Sequence, residues 1–291
     1  YPRVDDELFD FGSVAVTDKI DLLIELEKGI LANQYAKQVQ SSIYQEVDNQ
    51  LTLVNSKGLN LQRHNTYAYA YAIGVFEKDQ DVKTSYDIKL AKSFDQFDVK
   101  KMVETTIDKG VKKLGGSSIV SKSYPTVFSN EMFSDILNVF TSIFTGESAY
   151  RNLTALKEKV GQKIAIEDFN LIDDPLHEDA HFKMPFDDEG VACQKRYLVK
   201  DGVFEGFIHN LKTASIFKTE PTGHGFDGRI STTNMYLEPK DVSFDDLIKD
   251  IKDGVYITDL IGLHAGVKTV SGDFSLQAGG FKIKDGRLII Q

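Results

Sequence analysis

Cysteine is almost missing from this chain. The one thiol, Cys193, excludes internal disulfides and any multi-cysteine zinc knuckle, and it fits a reducing compartment. No apolar run approaches the length of a membrane span and no basic-then-apolar signal segment opens the sequence, so no membrane partner is expected. Basic residues are outnumbered, with 34 Lys and Arg against 44 Asp and Glu and a formal charge of −10. Phosphate recognition needs clustered Lys and Arg, so direct nucleic-acid binding is not expected either. No G-x-S-x-G nucleophile elbow, no solenoid repeat and no low-complexity stretch occurs. An initiating Met is also lacking, and residues 289–291 read as the inside of a strand, which suggests the middle and later part of something longer.

What is present is ample apolar material, 41% of 291 residues, enough for one large domain or two smaller ones. Helical spacing predicts a helix over 17–33, with Thr17 as a cap and Ile20, Leu23, Ile24, Ile30 and Leu31 as its stripe. From Gln38 the period changes to two. Strands over 39–47, 51–55 and 59–76 form a meander turning at Ser56-Lys57-Gly58, and 83–90 adds another. Tyr67, Tyr69 and Tyr71 alternate with Ala68, Ala70 and Ala72, and the tyrosine row is expected to lie under a helix rather than to stack on a base or sugar. A second helix over 99–114 stops at Gly115-Gly116, a pair without the Lys and the strand-to-helix setting of a phosphate loop.

A helix over 130–144, capped by Ser129, is apolar nearly all round and is therefore expected to be deeply buried. The helix dipole accounts for Glu131 in its first turn, but not for Asp135. Strands follow over 169–172, 191–199, 203–209, 234–237, 255–261 and 274–283, with a hairpin turn at Asp201-Gly202. A helix over 243–252 opens with a capping box from Ser243 to Asp246. The expected class is α+β, with mixed and antiparallel sheets and packed helices in two α+β units, 1–122 and 123–291.

The chemistry-bearing residues gather between Leu171 and His209. His177, Glu178 and His181 spell a literal His-Glu-x-x-His, which on a helix places two zinc ligands on one face with a Glu to activate water. Asp174-Pro175 could start only a short helix before Pro185, with Leu176, Ala180 and Phe182 as its sole apolar residues ahead of Met184. The stretch reads as an exposed acidic connection and the motif as accidental; the alternative is a self-sufficient zinc peptidase built on it. Asp173, Asp174, Asp187, Asp188 and Glu189 are either ordinary turn acids or a site for a cation or a peptide amino end. Cys193 follows that acidic turn, which raises a thiol pKa and argues against a nucleophile. The glycine-rich 222–228 opens no helix and is expected to be a mobile loop lining a groove. Asp187, Asp188, Glu189 and His224 are thus the binding-groove candidates.

Five ordered blocks carry a family likeness: Asp173-Asp174-Pro175, Pro185-Phe186-Asp187-Asp188-Glu189-Gly190-Val191, Gly223-His224-Gly225-Phe226, Asn234-Met235-Tyr236-Leu237-Glu238-Pro239 and Ser271-Gly272-Asp273-Phe274-Ser275. The series closely resembles the TldD/PmbA family, also called modulators of DNA gyrase, and it looks more like the PmbA (TldE) branch. The resemblance implies a cytoplasmic, zinc-dependent peptidase system acting on small peptides or proteins. TldD-type subunits carry zinc on a His-Glu-x-x-x-His helix plus a later Cys; PmbA-type subunits pair with them without zinc. The matching position here reads Asn130, Glu131 and Asp135, a degenerate site in which only Glu131 fits the pattern. The resemblance therefore implies no cofactor in this chain, zinc in a TldD-type partner or else a homodimer, and a peptide substrate, which exposed strand edges are expected to take by strand addition. A pure interaction protein acting on a partner such as gyrase is the non-enzymatic alternative. Relatives are longer at both ends and between Gly228 and Thr233, and the later Cys position lies beyond the sequence.

Overall fold

The computed structural model describes residues 1–4 and 8–289. They divide into two compact units, one of residues 8–51 and His64–Ser123, the other of residues 1–4, Thr52–Arg63 and Tyr124–Ile289.

The smaller unit packs helices on one face of an antiparallel sheet. Helix α1 (Val16–Leu31) precedes the long hairpin β1 (Ala36–Val54) and β2 (Asn60–Lys78). Strands β3 (Asp81–Ser85) and β4 (Lys89–Ala91) both pair with β2, and helix α2 (Val99–Val111) follows. The expected strands 39–47 and 51–55 are thus one strand, and 83–90 is two.

Three local expectations are corrected. The cap of α1 is Ala15, and Thr17 lies inside the helix. The face of α1 turned to the core is Leu22, Leu26 and Ile30, whereas Ile20, Ile24 and Leu31 are exposed. This helix carries two apolar rows, and spacing alone does not say which one the sheet takes. The sheet face under the helices is the alanine row: Ala68, Ala70 and Ala72 are fully buried beside Phe76, and the tyrosines are half-buried on the opposite face. Small side chains let helices approach closely. At Gly110 of α2 an added Cβ would stand 2.3 Å from Phe76 Cδ2, so this glycine sets the spacing of helix and sheet.

The larger unit begins with β5 (Thr126–Phe128), α3 (Asn130–Phe140) and α4 (Gly146–Tyr150). Then come β6 (Leu171–Asp173), β7 (Arg196–Lys200), β8 (Val203–Phe204) and α5 (Leu211–Phe217). Two short strands, β9 (Gly225–Phe226) and β10 (Arg229–Ile230), lead to β11 (Met235–Leu237) and α6 (Phe244–Ile248). The chain closes with β12 (Asp253–Ile261), β13 (Val267–Lys268), β14 (Asp273–Phe274), β15 (Gln277–Lys284) and β16 (Arg287–Ile289).

One sheet runs β11-β6-β7-β8, all antiparallel; a second runs β16-β15-β12-β5, with β5 parallel to β12. Mixed and antiparallel sheets with packed helices make this an α+β fold. Leu171, Leu198, Val199, Phe204, Ile208 and Phe144 form the core of the first sheet. Asp201 and Gly202 both have positive φ, 49° and 77°, and close the β7–β8 hairpin.

Helix α3 is not deeply buried: Ile136 is its only buried residue, and a 3-10 turn (Thr141–Phe144) continues it. It lies over the surface of β12 and β5, so much of its apolar circumference is only half-covered. The expected 191–199 strand is ordered as a strand only from Arg196 onward.

Candidate functional site

Helix α3 starts at Ser129, whose side chain accepts from Met132 N at 3.2 Å. Glu131 and Asp135 stand four residues apart, on one exposed face of that helix. Partial burial and the charge of Glu131 push the Asp135 carboxyl up from the usual carboxylate range. Burial and the same carboxylate raise the phenol of Tyr256 on β12. Asn130 supplies a neutral amide where zinc needs imidazole or thiolate, and the remaining donors are two mutually repelling carboxylates. That donor set does not fit tetrahedral zinc. Among the described residues, no group of three or more His, Cys, Asp or Glu is arranged to hold a metal ion.

His177 and His181 lie on turns, not on a helix. The His177 ring packs edge-on against Tyr236 at 4.9 Å, and its Nδ1 accepts from Asp179 N at 3.2 Å. His181 is exposed beside Phe182, and Glu178 is exposed. Without helical i, i+4 geometry the two imidazoles have no common face on which to converge.

The groove candidates do come together: Asp187 and His224 are buried, with Asp188 and Glu189 half-buried beside them. Asp173, at the end of β6, is fully buried and takes three hydrogen bonds: Thr233 N at 2.8 Å, Thr233 Oγ1 at 2.8 Å and His224 Nε2 at 2.9 Å. His224 is 1% exposed, and its Nδ1 meets Thr222 Oγ1 at 2.8 Å. Asp187 is also fully buried; its carboxylate accepts from Glu189 N, Val191 N and Gly225 N at 3.1, 2.8 and 2.8 Å. Glu189 reaches Leu211 N at 2.7 Å, and Asp188 pairs with Arg63 at 2.6 Å. Arg63 also donates to Phe186 O at 2.7 Å and lies over the rings of Phe186 and Phe226.

The first half of the glycine-rich segment is packed inside the fold rather than lining a groove, and the second half turns in the β9–β10 hairpin. Residues 222–225 are buried, and the Asp187 carboxylate accepts from Gly225 N. Gly223 has φ +75°, and an added Cβ would come within 2.6 Å of Ala192 O, so only glycine suits this crossing. Buried carboxylates are tolerable here because each is hydrogen-bonded several times over.

Hydroxyl, imidazole and carboxylate stand in line at Thr222, His224 and Asp173, the order of a nucleophilic triad. The hydroxyl, however, is buried and bonded to the backbone N and O of His209, at 2.7 and 3.0 Å. A hydroxyl spent in this way serves as a lock that ties the 222–224 segment to His209 and to the end of β6. The Cys193 thiol donates to Gly223 O at 3.0 Å; burial first, then Asp187, pushes its pKa up to about 12, which leaves it an inert thiol.

Sequence reasoning missed Arg63, Thr222, Thr233, Arg196 and the buried state of His209. The order of the blocks held the signal: Asp173, Asp187 and Gly225, from three of them, meet here. Asn234, from a fourth, bonds Asp174 O at 3.2 Å and Phe182 O at 2.9 Å. The fifth lies in the exposed β13–β14 hairpin.

Two family models match: the PmbA/TldA metallopeptidase central domain over 9–114 and the PmbA/TldA metallopeptidase C-terminal domain over 121–290. A metalloprotease PmbA homolog of Buchnera aphidicola is 26% identical over 254 residues, covering 81% of this chain and 56% of that protein. The crystal structure of a candidate modulator of a DNA gyrase from Thermotoga maritima superposes with a TM-score of 0.94 at 27% identity, covering 99% of this chain and 67% of that one. TldE from Thermococcus kodakarensis superposes with a TM-score of 0.85 at 25% identity, covering 98% and 66%. The chain thus spans little more than half the length of the Buchnera relative. With the C-terminal model alone covering more than half of its residues, the chain belongs to the PmbA/TldD metallopeptidase family.

Proposed function

We propose that this chain is the central and C-terminal part of a PmbA/TldE-type subunit. In this reading it holds no zinc and supports a zinc-bearing TldD-type subunit in the proteolysis or maturation of small peptides or proteins in the cytoplasm. The observation that carries the reading is the donor set on α3: Asn130, Glu131 and Asp135 offer no imidazole or thiolate. The fold likeness to TldE and the PmbA relatives supports the same branch. The chain's role is then to present peptide to a partner's metal, with an extended segment added to a strand edge.

Co-expression with a TldD-type subunit tests this. The expected result is a co-purifying complex that cleaves peptide, while the chain alone cleaves none. A stable complex without cleavage would move the assignment to the non-enzymatic class, and cleavage by the chain alone would overturn it.

A further inference from the structure

Arg196 is a half-buried cation of the larger unit that takes no part in this lock. It opens β7 and stands directly across from Asp173 of β6 in the antiparallel register. Directly opposed residues share a face of the sheet, so an ion pair between them is the ordinary expectation. It does not form. Both Asp173 oxygens are taken, Oδ1 by Thr233 N and Oδ2 by Thr233 Oγ1 and His224 Nε2. The Nε of Arg196 is buried without a hydrogen-bond partner, although the residue as a whole keeps part of its surface open. Burial lowers the pKa of this guanidinium, and only the nearby charge of Asp173 pulls it back.

A half-buried guanidinium with unmet donors costs stability, since desolvation is offset only when acceptors are supplied. A planar guanidinium fork matches a carboxylate with two parallel bonds, and here the part beyond the enclosed Nε is the part open to one. The neighbouring imidazole, His209, is near enough to feel the charge of Arg196 and is kept neutral by burial, with a pKa of about 4. It therefore does not share the anion. Lys195, the adjacent cation along the strand, is already engaged by Asp174 at 3.3 Å and the Tyr236 hydroxyl at 3.2 Å.

We propose that Arg196 is the anchor for a carboxylate of the bound peptide, either its C-terminal carboxylate or an acidic side chain. This deepens the peptide-handling reading above and rests on it. Asp173, locked by His224 and Thr233, then faces the guanidinium across the strand pair without saturating it.

The test uses three probes on the full chain by titration calorimetry: N-acetyl-trialanine as the free acid, the same peptide as its C-terminal amide, and N-acetyl-Ala-Asp-Ala amide. At least one acid is expected to bind. Arg196→Gln should weaken that acid by about ten- to a hundredfold, the range for removing a charge-assisted hydrogen-bonded pair, and Arg196→Lys by less. Binding of the free trialanine alone assigns the chain terminus; binding of the aspartyl amide assigns an acidic side chain. Arg196→Met should unfold at about the same temperature as the parent, because no hydrogen bond within the protein is lost and Asp173 keeps all three of its own. Absence of binding by either acid, equal binding to Arg196→Gln, or a Met variant several degrees less stable would each overturn the proposal. Loss of the TldD-type complex would instead overturn the subunit reading, and calorimetry on the isolated chain keeps the two apart.

Discussion

Asp173→Ala is expected to lower the unfolding temperature by on the order of 10 °C, from a loss of about 3–5 kcal/mol. Asp173 is fully buried and receives three hydrogen bonds, one from the buried imidazole of His224. Truncating it leaves His224 Nε2 and Thr233 N without acceptors in the interior, and desolvation of those orphans makes up most of the cost. The sign of the coupling is part of the prediction. Removing His224 as well, in Asp173→Ala/His224→Ala, should cost less than the sum of the single changes, because each single variant strands the other's polar atoms. Thermal unfolding of the four proteins measures this. A single-variant shift below about 2 °C, or strict additivity, would show the pair to be decoration on a core that other contacts hold.

The second large effect is a response to acid carried by His209. This imidazole is 6% exposed, packs its Nδ1 against Thr213 Oγ1 at 3.2 Å and fills the space over Gly146, where an added Cβ would stand 2.3 Å from the ring. Burial, then the positive charge of Arg196, then His224, depress its pKa from 6.5 to about 4. Above the unfolded value neither state binds the proton, and stability is full. As pH falls from about 6.5 to about 4, the unfolded chain takes up a proton that the native state refuses, so stability declines through that window and the loss then stops growing. The depression corresponds to about 3 kcal/mol. Urea unfolding of the parent and of His209→Gln from pH 7 to pH 4 should show a steeper fall for the parent by roughly that amount. Parallel pH profiles would mean that His209 takes the proton inside the fold.

These two residues also show what the sequence could and could not say. Helices, hairpin turns and the α+β class were legible because period and turn chemistry are local: Ser129 caps α3 and Asp201-Gly202 closes its hairpin where the residue types place them. Which apolar row faces inward was not local. α1 offers one row with Ile20 and Ile24 and another with Leu22 and Leu26, and β2 alternates tyrosine with alanine. In both cases the partner surface decides, and close packing of helices on a sheet favoured the smaller residues of β2.

The candidate site divides in the same way. The five blocks located the region, yet their acids read as a surface groove because buried carboxylates are rare. What makes burial tolerable is supplied from far along the chain: Gly225 N bonds Asp187 across 38 residues and Thr233 bonds Asp173 across 60. Such partners carry no periodic signature. The His177-Glu178-x-x-His181 string erred in the opposite direction, offering a strong local pattern whose chemistry depends on a helix that Pro175 and the turns around it do not form.

In the subunit reading this chain contributes no zinc of its own to the peptidase system. Elemental analysis of the purified chain, alone and beside His181→Ala, addresses it most directly. Zinc is expected well below one per chain in both samples, with stoichiometric metal appearing only in a complex with a TldD-type subunit. One zinc per chain in the protein alone, lost on His181→Ala, would contradict it and make the 177–181 turn a metal site.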